Sequence, residues 1–490
     1  MTSGNTKGRY RFDDALDATG CGKYNYCLLI TCCVLILAMY IDIFGLSVLL
    51  PSIACDFGLT NTQQGLISAL PLVGTMISSY AWGLCADTLG RRKTLLIAMP
   101  IGSFISLVTS IAPNYTSLCV LRFFSAFFLS SVNTGAFVLM GECVPSHHRS
   151  QFMFLTASAT MIGQLCTCIP ALGILRLNFH IDVPWLNMVY RPWRLLLQTL
   201  CVPGIIMIIA MTFLEESPKF LISKGREDEA LEVLRRMFEW NTASSKGSYK
   251  VTSVYLEQSE MKSHTDKTAL KRLWNQTAPL FKPPLLKNSL ILYFLLMCSY
   301  MTSTGFTMWV PTITNAYFDG HDISGKTFCE VASNAARVSA NINANATLKA
   351  SQDCDDVIKP NTIYAVMVFS GLCGCLNLIL TFLVKPLGKK TMTLLIFTIT
   401  VTCGVLLFFF RIPILSIIMF FIFPYVSLIL GTINTFLVEL NPTYLRGMAT
   451  CLSVLVARGF GFVSVQIIAT FLADHCEPLL STYVVLGICK

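Results

Sequence analysis

Three charged side chains interrupt long apolar stretches of this sequence, and their chemistry is the first guide to function. Asp42 lies in Tyr-Ile-Asp-Ile-Phe, Arg122 in Val-Leu-Arg-Phe-Phe and Arg458 in Val-Ala-Arg-Gly-Phe. A charge at the centre of a bilayer costs about 2.5–3.5 kcal/mol on insertion scales, so each needs a partner or a role. Asp42 could bind a cation, carry a proton or neutralise an arginine in a buried structural pair. Arg458 could hold an anionic group, serve as the counter-ion of Asp42, or extend outward to the membrane surface.

Other polar and aromatic side chains in apolar stretches could line the same cavity. Buried amides more often join helices through hydrogen bonds, and a Trp near the end of a stretch is typical of the interfacial belt, so these structural alternatives stay open. The candidate residues for substrate or ion binding are Asp42, Arg458, Arg122, Tyr300, Trp309 and Asn434.

No residue pattern in the sequence is typical of an enzyme. The six histidines show no metal-ligand spacing within one compartment, and there is no Gly-x-x-x-x-Gly-Lys-Ser/Thr phosphate loop. We therefore predict no catalytic residues, no metal site and no cofactor. The basic residues follow membrane topology and do not form a nucleic-acid-binding face.

The elements that must position these residues are transmembrane helices. The chain has 490 residues, of which 54% are hydrophobic and 13% are charged, against about 25% charged in soluble domains. A twelfth apolar run begins near residue 479, and the residues from there to Lys490 would form about 18 Å of helix. The prediction is an all-α membrane protein with eleven full spans and a truncated twelfth. The full runs lie at 26–50, 65–85, 94–112, 117–140, 151–173, 193–214, 288–311, 361–384, 391–410, 414–437 and 447–472.

The distribution of lysine and arginine predicts the orientation of these spans. With the N-terminus in the cytosol, cytosolic segments hold 25 of the 36 Lys and Arg residues and outer loops hold eight, as the positive-inside rule requires. The predicted domains are a cytosolic N-tail (1–25), a six-helix bundle (26–214), a cytosolic linker with short amphipathic helices (215–287) and a second bundle (288–490) with an outward loop at 313–360.

A short basic hairpin joins the second and third runs and reads Gly-Leu-Cys-Ala-Asp-Thr-Leu-Gly-Arg-Arg-Lys over residues 83–93. Asp87 lies among cations that can pair with it across the helix ends, Arg91 and Arg92 among them. A related Leu-Gly-Lys-Lys-Thr hairpin occurs 298 residues later, with Lys385 in the place of Asp87.

A second motif also recurs. Glu142-x-x-Pro-x-x-x-Arg149 follows the fourth run, and Glu439-x-x-Pro-x-x-x-Arg446 follows the tenth, at an offset of 297 residues. Two motifs at nearly one offset indicate a duplicated six-helix unit.

Carboxylate–cation pairs at these helix ends could latch the two halves in one state and break in the other. Glu142 could pair with Arg92 or Arg149, and Glu439 could pair with Lys389 or Arg446. Ordinary interfacial extension of long side chains is the alternative. The predicted gating residues are Asp87, Arg91, Arg92, Glu142, Arg149, Glu439 and Arg446.

Two polar segments connect the runs. The outward loop carries Cys329 and Cys354, which we predict to form a disulfide, and a glycosylation sequon at Asn345. In the linker, apolar residues recur on one helical face after Gly225, whereas 241–287 reads equally well as a plain tether.

The hairpin 83–93, placed between the second and third runs, resembles the signature loop of the major facilitator superfamily. Three further stretches narrow the resemblance: Tyr-Arg-Pro-Trp-Arg at 190–194, Glu-Ser-Pro-Lys-Phe-Leu at 216–221 and Gly-Phe-Thr-Met-Trp-Val-Pro at 305–311. With the cysteine-bearing outer loop, they are similar to the synaptic-vesicle glycoprotein 2 family and related organic-ion and sugar porters. In that family the first span carries two acids; Asp42 matches the second, and Met39 stands in place of the first.

The resemblance implies two pseudo-repeated six-helix bundles with substrate handled between them near the membrane midplane. We predict a secondary-active or facilitative transporter that moves a small organic solute by alternating access, with coupling to protons or sodium as one option. The alternative is a non-transporting vesicle or membrane protein that retains the fold, as a sensor or structural component. We further predict a monomer in the lipid bilayer of the plasma membrane or an intracellular vesicle, without a nucleic-acid partner.

Overall fold

The protein is described by a computed structural model that covers residues 9–177, 179–186, 188–242, 249–255, 277–318, 325–334, 336–337, 358–441 and 446–488. Within these ranges eleven helices are long and apolar enough to cross a membrane, in agreement with the predicted all-α membrane fold. A further apolar helix at Cys476–Ile488 is shorter than these. We use cytosolic end for the end that carries Gly90, following the predicted orientation, and outer end for the other.

The helices are numbered in chain order. They are α1 (Phe12–Asp17), α2 (Lys23–Phe57), α3 (Asn61–Leu89), α4 (Arg91–Thr109), α5 (Tyr115–Cys143), α6 (Ser146–Ile174), α7 (Pro192–Thr212), α8 (Pro218–Ser223), α9 (Glu227–Thr242), α10 (Leu286–Tyr317), α11 (Pro360–Leu387), α12 (Lys389–Leu406), α13 (Pro413–Leu437), α14 (Arg446–Phe471) and α15 (Cys476–Ile488). The strands are β1 (Arg9–Arg11), β2 (Ile181–Val183), β3 (Met188–Tyr190) and β4 (Ser253–Tyr255). Strands β2 and β3 form an antiparallel hairpin between α6 and α7.

Local sequence signals set where the spans begin. At the start of α3, the Gln63 side chain accepts the Thr60 N–H at 2.9 Å and the Thr60 hydroxyl accepts the Gln63 N–H at 3.4 Å. The Asn114 carboxamide oxygen likewise accepts the Ser117 N–H at 2.8 Å at the start of α5. Gly90 separates α3 from α4 with a φ of +108°, a conformation that L side chains rarely adopt. These caps and this turn allow the loops between spans to be very short.

Helix α3 packs closely against helices on both sides. A Cβ at Gly74 would come 2.6 Å from the Phe123 carbonyl oxygen of α5, and one at Gly65 would collide with Ala469 of α14. The glycine at each position therefore permits the backbones to approach. Because α14 follows the predicted linker, the Gly65 contact joins helices from the two predicted bundles at their outer ends.

The Tyr-Arg-Pro-Trp-Arg stretch forms a buried cluster around Asp56 at the outer end of α2. Arg191 and Arg194 lie 2.9 and 3.4 Å from the two carboxylate oxygens of Asp56, and the Trp193 indole N–H donates to Asp56 at 3.2 Å. Arg194 also donates to the Ala112 carbonyl at 2.8 Å. The cluster ties the end of α2 and the loop that follows α4 to the start of α7.

We expect Asp56→Asn to destabilise the protein, because it leaves two guanidinium groups without this carboxylate and Arg194 is 1% exposed. Breaking a buried pair typically costs about 3 kcal/mol or more, so the apparent melting temperature should fall by several degrees. Asp182→Asn on the exposed face of β2 is the matched control. Equal melting temperatures for the two variants in detergent would contradict the assignment.

The linker contains α8 and α9. The Ser217 hydroxyl accepts the Phe220 N–H at 3.1 Å and so caps α8, and Leu231 and Leu234 of α9 are buried. Residues 243–248 and 256–276 of the predicted tether lie outside the described residues. The boundaries of the two predicted bundles and of the linker remain predictions.

The predicted Cys329–Cys354 disulfide is wrong, because Cys329 is bonded to Cys476 at the start of α15. Phe328, next to Cys329, is 1% exposed and its ring centre lies 4.9 Å from that of Phe420, so this part of the chain packs against α13. Cys354 and the sequon residue Asn345 lie outside the described residues.

Candidate functional site

A cavity lies between helices of the first and second predicted bundles. It is lined from α2, α6, α10, α11, α13 and α14. Two of these spans are 3₁₀-helical where they meet it, at Ala159–Ile162 in α6 and Phe423–Ile429 in α13. Irregular backbone at membrane depth is tolerated where it lines a cavity and often marks a functional position. We refer to this space as the central cavity.

Arg458 is the one charged side chain among the described residues that line the central cavity. It is 6% exposed, and its Nη2 donates to the Tyr40 hydroxyl at 3.1 Å while the guanidinium lies 5.5 Å from the centre of the Tyr40 ring. Within the described part of the chain no carboxylate lies within ion-pair distance of it. Arg458 is therefore neither the counter-ion of Asp42 nor extended to the membrane surface.

Aromatic and small polar side chains form the rest of the wall. Tyr40 stacks on Phe44 with ring centres 5.8 Å apart and planes within 7°. Gln164, on α6, donates to the Ser47 hydroxyl at 3.1 Å and to the Thr307 carbonyl at 3.3 Å. The cavity thus combines a flat apolar surface, several hydrogen-bonding groups and one positive charge.

Asp42 lies on the other side of α2, within the first predicted bundle. Its Oδ1 is 2.8 Å from Arg122 Nη1 and accepts the Ser106 hydroxyl at 2.6 Å, and its Oδ2 accepts the Ser125 hydroxyl at 2.8 Å. Asp42 is two residues from Tyr40, so the two side chains cannot share a helix face. Asp42 and Arg122 line a separate, smaller space between α2, α4, α5 and α7. They therefore do not line the central cavity with Arg458, and a role of Asp42 and Arg122 in substrate or ion binding stays a prediction.

The remaining candidates divide between the wall and the core. Tyr300 lines the central cavity. Trp309 does not: it is 3% exposed, and its indole N–H donates to the Val465 carbonyl of α14 at 3.4 Å, so the belt alternative fails as well. The side chain of Asn434 lies outside the described residues.

Several residues of the cavity wall are not among the predicted candidates, although their spacing in the sequence is that of one helix face. On α10, Ser303, Thr304 and Thr307 line the cavity together with Tyr300. Their spacing of three, four and seven residues from Tyr300 is that of one helix face. Tyr40 and Phe44 are four residues apart on α2, which is again one face.

At the cytosolic end, Glu142 pairs with Arg91 and not, as expected, with Arg92 or Arg149. Arg91 Nε lies 3.0 Å from Glu142 Oε2, and Arg91 Nη2 lies 3.2 Å from Asp87 Oδ1. Arg92 points elsewhere and donates to carbonyl groups at the end of α7, because adjacent residues of a helix face different directions.

Arg149 is held by Asp13 at 3.0 Å. In the described part of the chain the ion pairs at this end therefore join residues of three segments: the first predicted bundle, the residues before α2, and the predicted linker. The side chains of Glu439 and Arg446 lie outside the described residues.

The family model of the Major Facilitator Superfamily matches residues 32–465, a range that includes every described residue of the central cavity and the pair Asp42–Arg122. The chain belongs to this superfamily. The predicted resemblance and fold class are thereby confirmed, and the protein is a multi-pass integral membrane protein of the major facilitator fold.

Two relatives align with part of this chain. The chain is 30% identical over 238 residues to SVOPL of Homo sapiens, in an alignment that covers 47% of this chain and 44% of that protein. It is 23% identical over 327 residues to synaptic vesicle glycoprotein 2C of Mus musculus, covering 62% of this chain and 44% of the relative. The chain thus aligns with about half the length of these relatives.

Among solved structures, the xylose transporter XylE from E. coli, in a partially occluded inward open conformation, superposes with a TM-score of 0.64. The match covers 95% of this chain and 96% of XylE at 15% sequence identity. At this identity the likeness shows the fold alone.

Proposed function

We propose that this chain is a facilitative or secondary-active transporter that moves a small organic anion through the central cavity by alternating access. The observation that carries the proposal is that Arg458 is buried in the wall of the central cavity with no carboxylate of the described residues as its partner. A buried guanidinium without a carboxylate is costly in a membrane protein unless a ligand supplies the negative charge. Its position in a space between helices of both predicted bundles is where this fold handles substrate.

The walls favour a solute with a flat or apolar body. The stacked rings of Tyr40 and Phe44 offer a face for such a body, and the amide of Gln164 and the hydroxyls of α10 offer hydrogen bonds. Arg458 presents a planar set of donors suited to a carboxylate or another oxyanion.

Asp42 and Arg122 are candidates for a coupling site in this scheme. A carboxylate buried in the bilayer beside one arginine can exchange that partner for a proton or sodium ion. The Asp87–Arg91–Glu142 group would then regulate access at the cytosolic end. The N-terminus in the cytosol, a monomeric state, and a place in the plasma membrane or a vesicle membrane belong to the same proposal.

An uptake screen in proteoliposomes tests the function. Purified protein is offered a mixture of organic anions, organic cations and neutral solutes, and the contents are compared with empty liposomes by mass spectrometry. Saturable, protein-dependent flux that is enriched in anions is the expected result. Absence of saturable flux for every solute, with folded protein in the liposomes, would favour the non-transporting alternative.

A further inference from the structure

We propose that two carboxylates near the N-terminus, Asp13 and Asp17, are positioning residues of the cytosolic gate. They lie in residues 9–22, which we call the tail. They hold the start of α6 and Arg149 in their present arrangement, so loss of these contacts shifts the balance between gate conformations. The proposal rests on the alternating-access function proposed above.

The tail is built into the cytosolic end of the protein. Strand β1 pairs in parallel with β4 of the linker. Phe12, Ala15 and Leu16 are at most 3% exposed, and the Tyr249 hydroxyl donates to the Ala15 carbonyl at 2.7 Å. Apolar burial and backbone pairing thus fix the position of α1 and its two carboxylates.

Asp17 supplies a cap that α6 lacks. The residue before α6 is Pro145, whose side chain makes no capping bond. Asp17 Oδ1 accepts the Ser146 N–H at 2.6 Å, and Oδ2 accepts the Ser146 hydroxyl at 2.6 Å. The free N–H groups at a helix start need an acceptor, and a carboxylate there also interacts favourably with the helix dipole. The start of α6 is therefore stabilised by a residue 129 positions earlier in the chain.

Asp13 forms an ion pair with Arg149, the arginine in the first copy of the repeated motif. The two side chains of the Asp13–Arg149 pair are 45% and 35% exposed, so the pair alone contributes little to stability. The pair matters because it determines which carboxylate Arg149 contacts. Arg149 belongs to the same Glu-x-x-Pro-x-x-x-Arg motif as Glu142, and in this arrangement the tail holds Arg149 while Arg91 holds Glu142.

Asn241 of α9 connects the tail to the first span and the linker. Its amide donates to the Gly20 carbonyl at 2.9 Å and to the Asn25 side chain at 2.8 Å, and its oxygen accepts the Tyr24 N–H at 3.1 Å. The tail, the start of α2 and α9 therefore form one unit. If the cytosolic end of α6 moves during the cycle, it must carry this unit with it or break from Asp13 and Asp17.

The size of the effect is set by the cap. Removing a carboxylate cap changes a helix-start equilibrium by about fivefold. We expect Asp13→Ala with Asp17→Ala to change the ratio of gate conformations by about that factor. Asp14→Ala is the matched control, since Asp14 is exposed on the same helix.

Two measurements on the full chain in nanodiscs test the proposal without a transport assay. Spin labels on unnatural amino acids at the exposed positions 147 and 390 report the separation of the cytosolic ends of α6 and α12 by pulsed electron resonance. Tryptic cleavage after Arg11 reports release of the tail. The double variant should cleave faster and redistribute the distance populations, whereas the control should match the unmodified protein.

Faster cleavage with unchanged distances would overturn the proposal, because the tail would then be an anchor without influence on the gate. Unchanged cleavage would overturn it too. Should the double variant not fold, Ser146→Asp provides a carboxylate in the first turn of α6 and repels Asp17, with the same expected results. Because these readouts need no substrate, their outcome is separate from that of the uptake screen.

Discussion

Asp42→Asn is expected to abolish accumulation of substrate and to lower the melting temperature. Arg122 is 1% exposed, and Asp42 is its carboxylate partner. An asparagine would leave that guanidinium buried with an uncompensated charge, which costs about 3–5 kcal/mol. Uptake against a gradient in proteoliposomes and thermal unfolding in detergent measure the two effects.

The double variant Asp42→Asn with Arg122→Gln separates a coupling role from charge neutralisation. Removing both charges leaves no uncompensated ion, so the melting temperature should return most of the way toward that of the unmodified protein. If Asp42 carries the coupling ion, the double variant exchanges substrate but does not accumulate it. Accumulation by the double variant equal to that of the unmodified protein would show that Asp42 does nothing beyond neutralising Arg122.

Arg458→Gln is expected to weaken binding of an anionic substrate by roughly 20-fold to 100-fold, the usual loss when a hydrogen-bonded charge pair is removed. Its effect on stability should be opposite to that of Asp42→Asn. No carboxylate of the described residues is left without its partner, so the melting temperature should stay the same or rise. Concentration dependence of uptake, together with thermal unfolding, measures both.

Two further variants sharpen this prediction. Arg458→Lys keeps the charge but loses the planar set of donors, so its affinity should lie between those of arginine and glutamine. Arg411→Gln makes the same chemical change at an exposed outer position and should leave uptake unchanged. A substrate affinity in Arg458→Gln equal to that of the unmodified protein would remove the basis for an anionic substrate.

The spans could be predicted because burial in lipid requires long apolar runs, and that requirement is local in sequence. The partners of the buried charges were not local. Arg122 lies 80 positions from Asp42, and choosing between Arg122 and Arg458 depends on which face of α2 carries the aspartate. The helix period places Asp42 away from Tyr40, but which face meets the central cavity is decided by packing among all the spans.

Disulfide pairing and gate contacts show the same limit. Cysteine spacing could not exclude Cys476 as the partner of Cys329, since a separation of 147 positions places no constraint on which cysteines meet. The pairing of Arg149 with Asp13 depends on how the tail folds against the linker strand, and short strand pairings of this kind have almost no sequence signature. By contrast, the regular spacing of Tyr300 and Thr307 could have revealed the wall of the central cavity.

The contact at Gly65 means that the side chain at position 65 sets the distance between the outer ends of α3 and α14. Since even one added carbon there meets Ala469, side chains of increasing thickness, from alanine through valine to leucine, would push the outer ends of α3 and α14 apart by chosen increments. The contact between these two helices can in this way be adjusted at a single residue that lines neither the central cavity nor the space around Asp42.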